Sequence, residues 1–176
     1  MTFREQTGDL FALTDVDAIC LTTNGVVSKC GACVMGRGVA LQAKQRWPGV
    51  DYLLGRAIQQ NGNIVHQLTG IYGLNPGVPM LWDEVCIGGS PDSDGIVLPW
   101  HLVAFPVKNH WREPASLVLI ERSAIQLAQL ADLEGWRRIA LPRPGCGNGR
   151  RRWDEVAPVL SRMLDDRFIV IHEDSL

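Results

Sequence analysis

The sequence predicts an α/β protein in which a mixed or mostly parallel sheet is covered by helices on both faces. Short apolar runs typical of buried strands alternate along the chain with segments of helical periodicity. The 176 residues are 46% hydrophobic and 20% charged, a composition that fits one compact domain with a sizeable core. No internal repeat interrupts the alternation. We therefore expect a single domain over residues 1–176.

The part of the chain before residue 69 is predicted to contain a strand, two helices and a second strand. Their bounds are 18–23, 39–46, 52–60 and 64–68. Asn24 follows the first strand, and Asp51 is placed to cap the second helix. A weakly patterned segment, 69–95, is rich in Gly, Pro, Asp and Ser, and it is either a loop with function or a hairpin inserted over the sheet.

The rest of the chain continues the alternation of strands and helices. The predicted elements are a strand over 96–107, a helix over 115–133, a strand over 138–141, a helix over 153–164 and a strand over 167–172. Lys108 follows the first of these strands, and a glycine-rich loop follows the second. Because ligands of open α/β sheets bind beyond the carboxyl ends of the strands, we expect Asn24, Lys108 and this loop to share one edge.

The glycine-rich loop has glycine at three alternate positions, Gly145, Gly147 and Gly149, between an apolar run and a helix start. Positive φ at these residues would let main-chain N–H groups approach a pyrophosphate, with the positive end of the following helix behind them. A tight strand-to-helix connection would explain the same glycines. The spacing is neither that of a Walker loop nor that of a dinucleotide fingerprint.

Composition and charge narrow the function classes. No run of about 18 apolar residues is present, and the N-terminus lacks a signal-like segment, so we expect neither a membrane-spanning nor a secreted protein. Five cysteines, an odd number, indicate reduced thiols in a cytoplasm. The net charge of -2 argues against nucleic-acid binding by charge alone. Arg150–Arg152 would either meet phosphate or form a solvated helix start.

Five motifs in order resemble those of a macro domain. They are Gly8–Phe11, the strand ending at Asn24, Val34–Gln42, Phe105–Arg112, and Leu141–Gly149 followed by Trp153. The resemblance implies a three-layer α/β/α fold with a central mixed sheet. Within the family, the chain is most similar to the branch that contains a DNA ADP-ribosyl glycohydrolase antitoxin and an enzyme that removes ADP-ribose from protein glutamates.

The resemblance implies an ADP-ribose pocket and a role for each matching residue. Asp9 matches the residue that accepts a hydrogen bond from the adenine amino group, with the Leu10 backbone beside it. Asn24 matches the residue that orients the distal ribose, and Lys108 matches the catalytic lysine of this branch. The diphosphate would lie between two loops, made of Gly36, Arg37 and Gly38 and of Gly145, Cys146, Gly147, Asn148 and Gly149.

Two departures from the family pattern affect the expected chemistry. Gly149 aligns with an aspartate of the glutamate-directed enzymes, so a Lys–Asp pair is not expected, whereas the DNA-directed branch tolerates glycine there. An insertion at residues 26–32 lies where the family loop passes the distal ribose, which leaves substrate preference open. Cys30 and Cys33, in and next to this insertion, lack the second pair of a zinc site and the context of a redox motif.

We therefore expect a monomeric, cytoplasmic hydrolase of ADP-ribosyl linkages that needs no metal or cofactor, with Lys108 and Asn24 catalytic. Its partners would be ADP-ribose and ADP-ribosylated protein or DNA. Two alternatives stay open, a reader that binds ADP-ribose without turnover and a phosphatase of ADP-ribose 1″-phosphate. Cys146 is expected to fill a tight loop and not to act as a nucleophile, while His110 and Trp111 have either a packing or a functional role.

Overall fold

A computed structural model of the protein describes residues 2–68 and 100–173. Within these residues six strands form one sheet in the order β1-β6-β5-β2-β4-β3. The strands are β1 (Arg4–Thr7), β2 (Ala18–Asn24), β3 (His66–Gln67), β4 (His101–Lys108), β5 (Ile139–Pro142) and β6 (Phe168–His172). β3 runs antiparallel to β4, and every other neighbouring pair is parallel. The sheet is therefore mixed, as predicted.

Helices cover both faces of this sheet in the described part of the chain. They are α1 (Gly38–Arg46), α2 (Val50–Asn61), α3 (Leu117–Glu134) and α4 (Trp153–Ser161). Alternate strand residues point to opposite faces, so that Leu102 packs with the residues of α1 and α2 while Val103 packs with those of α3 and α4. This arrangement confirms the predicted three-layer α/β/α class.

The structure shows a cap at the start of α3 that was not predicted, and it shows that the cap predicted for α2 was wrong. Ser116 caps α3 because its Oγ accepts a hydrogen bond from Leu119 N at 3.3 Å. Asp51 does not cap α2, which instead begins after Gly49. The Asp51 side chain is buried and pairs with Lys44 Nζ at 2.8 Å, so this carboxylate joins the two helices.

Several boundaries differ from the predicted ones. β3 is only two residues long, and α4 ends at Ser161, three residues before the predicted end. β1 was not predicted because all four of its residues are polar and exposed, which leaves no alternation to detect. The segment 69–95 lies outside the described residues, so its prediction as a loop or hairpin stays a prediction.

Candidate functional site

A cavity of about 940 Å³ opens at the carboxyl edge of the sheet. Its walls come from the ends of β2, β4 and β5, from residues 36–40, and from residues 145–150. Asn24 and Lys108 are register partners at the ends of β2 and β4, and both line the cavity. The predicted convergence of Asn24, Lys108 and the glycine-rich loop at one sheet edge is therefore confirmed.

The two predicted glycine segments face each other across this cavity. A Cβ atom on Gly38, whose φ is 58°, would lie 3.1 Å from the Asn148 side-chain nitrogen. Gly145 has a φ of 75°, and a Cβ there would press against Ala115 and Ile120 at 2.8 Å. Glycine is thus required at 145 because that residue packs against the buried Ala115 and Ile120, and it allows the close approach of residues 38 and 148 in the cavity wall.

Two details of the predicted anion site were wrong. Gly149 does not have positive φ; the left-handed residue is Arg150, at 59°. In addition, no residue of α4 lines the cavity, and at the start of this helix Glu155 Oε2 accepts a hydrogen bond from Arg152 N at 2.9 Å. The helix that begins at the cavity is α1, whose first residues, Gly38 to Ala40, line the wall.

The charge of the cavity wall is strongly one-sided. Five cationic side chains line it, from Arg37, Lys108, Arg112, Arg143 and Arg150, and the described lining contains no acidic residue. The chain as a whole carries a net charge of -2. The positive charge is therefore concentrated in one concave site, which is the condition for attracting a polyanion.

Lys108 lies at the end of β4 against the glycine-rich loop. Its Nζ donates hydrogen bonds to Asn148 O at 3.1 Å and to Trp111 O at 3.4 Å. Partial burial lowers the pKa of Lys108, and the neighbouring guanidinium groups of Arg150 and Arg37 lower it further. No ion pair of the described residues includes this ammonium.

Asn24 is buried, and its amide holds both ends of the loop that follows β2. Nδ2 donates to Val34 O at 2.7 Å, and Oδ1 accepts from Val26 N at 3.0 Å. Val34 N also donates to Val26 O at 2.9 Å, so the two ends of the insertion run antiparallel and form a narrow loop. The geometry gives Asn24 a positioning role toward residues 26–34 in addition to a place on the cavity wall.

Asp9 and Leu10 lie outside the residues that line the cavity. The Asp9 carboxylate accepts a hydrogen bond from Phe11 N at 2.9 Å and caps a short 3-10 helix, Leu10–Ala12, while the Leu10 side chain is buried in the core. Both follow β1, which ends at the same sheet edge as β5 and β2. The adenine contact at Asp9 stays a prediction.

Cys146 and the three consecutive arginines have different surroundings. Burial raises the pKa of the half-buried Cys146, which keeps the thiol protonated and disfavours a nucleophilic role. Arg150 lines the cavity, Arg151 Nε donates to Ala115 O at 2.6 Å, and Arg152 pairs with Asp154. Only the first of the three arginines faces the site.

Sequence reasoning did not identify Arg112 and Arg143 as site residues. Arg143 follows β5, stacks on the Trp153 ring at 4.9 Å and pairs with Glu5 at 2.9 Å. Arg112 follows Trp111 in the loop after β4. The motifs that carry the family resemblance include both residues, but nothing in their spacing indicates that the two side chains reach the same cavity.

Three structural observations concern metal binding, disulfide bonds and membrane-spanning helices. No cluster of three His, Cys, Asp or Glu side chains in residues 2–68 and 100–173 is arranged to hold a metal ion. Cys20, Cys30, Cys33 and Cys146 are unpaired. No helix in the described part of the chain is long and apolar enough to cross a membrane.

The chain is similar in sequence to DNA ADP-ribosyl glycohydrolases. The Mycobacterium tuberculosis protein of that name is 30% identical over 151 residues, which is 85% of this chain and 35% of the relative. The chain thus spans about a third of the length of this relative. No protein-family model matches the chain.

Two solved structures share both the fold and part of the sequence. The macrodomain of Mycobacterium tuberculosis DarG has a TM-score of 0.67 at 26% identity, and that of Thermus aquaticus DarG has a TM-score of 0.64 at 26% identity. Each comparison covers 98% of this chain and 98% of the other. With the mixed sheet and the basic cavity at its edge, these similarities match the chain to the macrodomain family and, within it, to the DarG macrodomains.

Proposed function

We propose that this protein binds ADP-ribose and hydrolyses an ADP-ribosyl linkage to DNA. The observation that carries the proposal is the cavity with five cations, Lys108 among them, and no described acidic residue in its wall. The two phosphates of a diphosphate would be held by such a cationic wall. The relatives named DNA ADP-ribosyl glycohydrolase support ADP-ribose as the diphosphate. The diphosphate would lie between residues 36–38 and 145–149.

The order of the strands supports an extended ligand along the sheet edge. Asp9 follows β1 and Lys108 ends β4, which are four strand positions apart in the sheet, a distance of about 19 Å. Adenine would lie toward Asp9, and the distal ribose would lie beside Asn24 and Lys108. This direction places the scissile glycosidic bond at the lysine.

Lys108 would act without a carboxylate partner, because Gly149 stands where the glutamate-directed enzymes have aspartate. Its lowered pKa makes the ammonium a better proton donor to the departing group. As the glycosidic bond breaks, its electron pair goes to the acceptor, which takes the proton from Lys108. Water then adds to the ribose carbon and returns a proton to the lysine amine. The adjacent diphosphate would stabilise positive charge on the ribose in between.

The proposal is tested by the release of free ADP-ribose from an ADP-ribosylated oligonucleotide, with ADP-ribose binding measured separately by calorimetry. We expect turnover by the wild type and a loss of at least about a hundredfold in Lys108→Ala, with ADP-ribose still bound. Arg137→Ala removes an exposed cation that does not line the cavity and lies just before β5, at the opposite edge of the sheet; it is the matched control, with full turnover expected.

The alternatives predict different results in the same assays. A reader would bind ADP-ribose and release none from the oligonucleotide or from a glutamate-ADP-ribosylated protein. A phosphatase would release inorganic phosphate from ADP-ribose 1″-phosphate. Either result, or unchanged turnover in Lys108→Ala, would overturn the proposed hydrolase.

A further inference from the structure

We propose that His110, Trp111 and Arg112 form a stacking platform that binds the nucleobase of the acceptor strand beside the cavity. The inference rests on the proposed function and identifies the part of the protein that recognises what is attached to the ADP-ribose. We refer to these three residues as the platform.

The exposure of Trp111 is the first observation. This side chain is 45% exposed, whereas Trp47, Trp100 and Trp136 are 5 to 6% exposed. A large aromatic ring that the fold does not need for its core is available to a ligand. Indole rings bind nucleobases by stacking, and this contact tolerates different bases because every base has an aromatic face.

The three side chains of the platform are stacked on one another. The His110 and Trp111 rings lie 5.5 Å apart at 24°, and the Arg112 guanidinium lies 4.6 Å from the centre of the indole. His110 Nδ1 accepts a hydrogen bond from Arg112 N at 3.2 Å, which fixes the imidazole. A base can extend this stack over the exposed part of the indole or over the outer face of either neighbour.

The main chain around the platform is held at several points, so a ligand would not have to order it. Asn109 O accepts from Gly25 N at 3.1 Å, and Arg112 O accepts from Arg150 Nη2 at 3.5 Å. Further along, Ala115 N donates to Gly149 O at 2.8 Å, which joins the loop to the glycine segment. A platform that is fixed in advance loses little conformational entropy on binding.

The position of the platform determines which part of the substrate it meets. Trp111 O accepts a hydrogen bond from Lys108 Nζ at 3.4 Å, and Trp111 and Arg112 line the same cavity as that lysine. An acceptor group joined to the ribose at Lys108 would therefore lie near Trp111. The platform lies at the acceptor end of the proposed substrate, opposite the end assigned to adenine.

The charge around the platform favours a nucleic acid over a protein acceptor. Arg112 and Arg150 line the cavity and are neighbours, since Arg150 Nη2 donates to Arg112 O at 3.5 Å, and Glu113 is the one acidic side chain in residues 109–116. A phosphate backbone would meet these cations while a base stacks on the platform. An ADP-ribosylated glutamate supplies neither a base nor further phosphates.

The test compares Trp111→Ala, Trp111→Phe and wild type for three ligands, namely free ADP-ribose, an ADP-ribosylated oligonucleotide and an ADP-ribosylated peptide. For the oligonucleotide we expect Trp111→Ala to weaken apparent affinity between about five- and a hundredfold, the range of a lost base–aromatic contact. Trp111→Phe should restore most of this loss. Tyr52→Ala, which removes a ring that is also 45% exposed but lies outside the cavity, should have no effect.

Binding is measured alongside turnover, so the platform and the hydrolase proposal can fail separately. If the wild type releases no ADP-ribose, the hydrolase proposal fails, while a selective loss of oligonucleotide affinity in Trp111→Ala still supports the platform. An equal loss for free ADP-ribose would assign Trp111 to the ADP-ribose pocket and overturn the inference. An equal loss for the peptide conjugate would overturn its nucleobase specificity.

Discussion

Lys108 and Lys44 show how the surroundings of a residue decide its chemistry. The pKa of Lys44 is raised because its ammonium donates to the Asp51 carboxylate, whereas the pKa of Lys108 is lowered by burial and by two guanidinium groups. Their sequence contexts do not reveal this difference, because the partner of Lys44 is seven residues away and Arg150 is distant in the chain. Only the fold brings these charges together.

We predict that the pKa of Lys44 lies above the ordinary lysine pKa of 10.5 and that the pKa of Lys108 lies below it. The chain has three lysines, so ¹³Cε NMR signals can be followed individually and assigned with Lys29→Ala and Lys108→Ala. Arg150→Ala should raise the pKa of Lys108, because it removes a neighbouring positive charge, and should leave that of Lys44 unchanged. A Lys108 signal titrating above that of Lys44 would contradict the assignment.

The residues that the sequence identified have main-chain or end-of-strand roles, and those it missed act through long side chains. Asn24 and Lys108 directly follow apolar runs, so their shared edge could be predicted from the order of strands and helices. Arg112 and Arg143 enter the cavity by side-chain direction, which depends on the completed fold. Gly149 likewise has a role that depends on the completed fold, since a Cβ at this residue would lie 3.0 Å from the Ala115 side chain, while the positive φ belongs to Arg150.

At the scale of elements, the loop over 26–34 is held between β2 and α2. Cys33 N donates to Asp51 O at 2.8 Å, and Asn24 binds both ends of the loop. α2 approaches the loop at Gly55, where a Cβ atom would overlap Gly31 O and lie 2.9 Å from Cys33 N. This contact was not predictable, because a glycine in a helical pattern has no signal that identifies what packs against it.

Gly55→Ala should destabilise the protein although alanine favours helix. The added methyl must displace the loop backbone, and we expect a loss of about 1–3 kcal/mol in the free energy of unfolding by urea. Gln59→Ala, at an exposed position of the same helix, is the control and should change the free energy of unfolding by less than about 0.5 kcal/mol. Increased stability in Gly55→Ala would show that the loop does not pack as described.

Asn24→Ala should release the loop while the strand remains paired. Two hydrogen bonds are lost, which predicts a destabilisation of about 1–3 kcal/mol and faster hydrogen exchange at the Val26 and Val34 amides. Amides in the middle of β2 should keep their protection. If the Val26 and Val34 amides exchange as slowly as in the wild type, Asn24 does not hold the loop.

At the scale of the whole molecule, the fold collects positive charge into one site of a chain that is weakly negative overall. The order of strands and helices predicted where the site would form, but the net charge of the chain did not indicate that the cavity wall would be positive. The five cations come from three segments, which lie at or after the ends of β2, β4 and β5 in the chain and meet where these strands align. The alignment of the strands at this edge of the sheet therefore determines where the positive charge is concentrated.

ADP-ribose should raise the melting temperature of the protein, and adenosine, which lacks the phosphates, should not. At a hundredfold excess over Kd, one-site binding adds about 2.7 kcal/mol to the stability of the folded state. Arg37→Ala should reduce the shift, because that guanidinium lines the cavity. Equal shifts with adenosine and ADP-ribose, measured by differential scanning fluorimetry, would argue against a diphosphate site.

The position of β6 in the sheet has a consequence for synthesis on the ribosome. In the described residues β1 pairs only with β6, and β6 lies between β1 and β5. Residues 4–7 leave the ribosome early but have no sheet partner until residues 168–172 have been added. Pairing of β1 is therefore a late step, and a chain truncated before residue 168 loses two strands from the sheet.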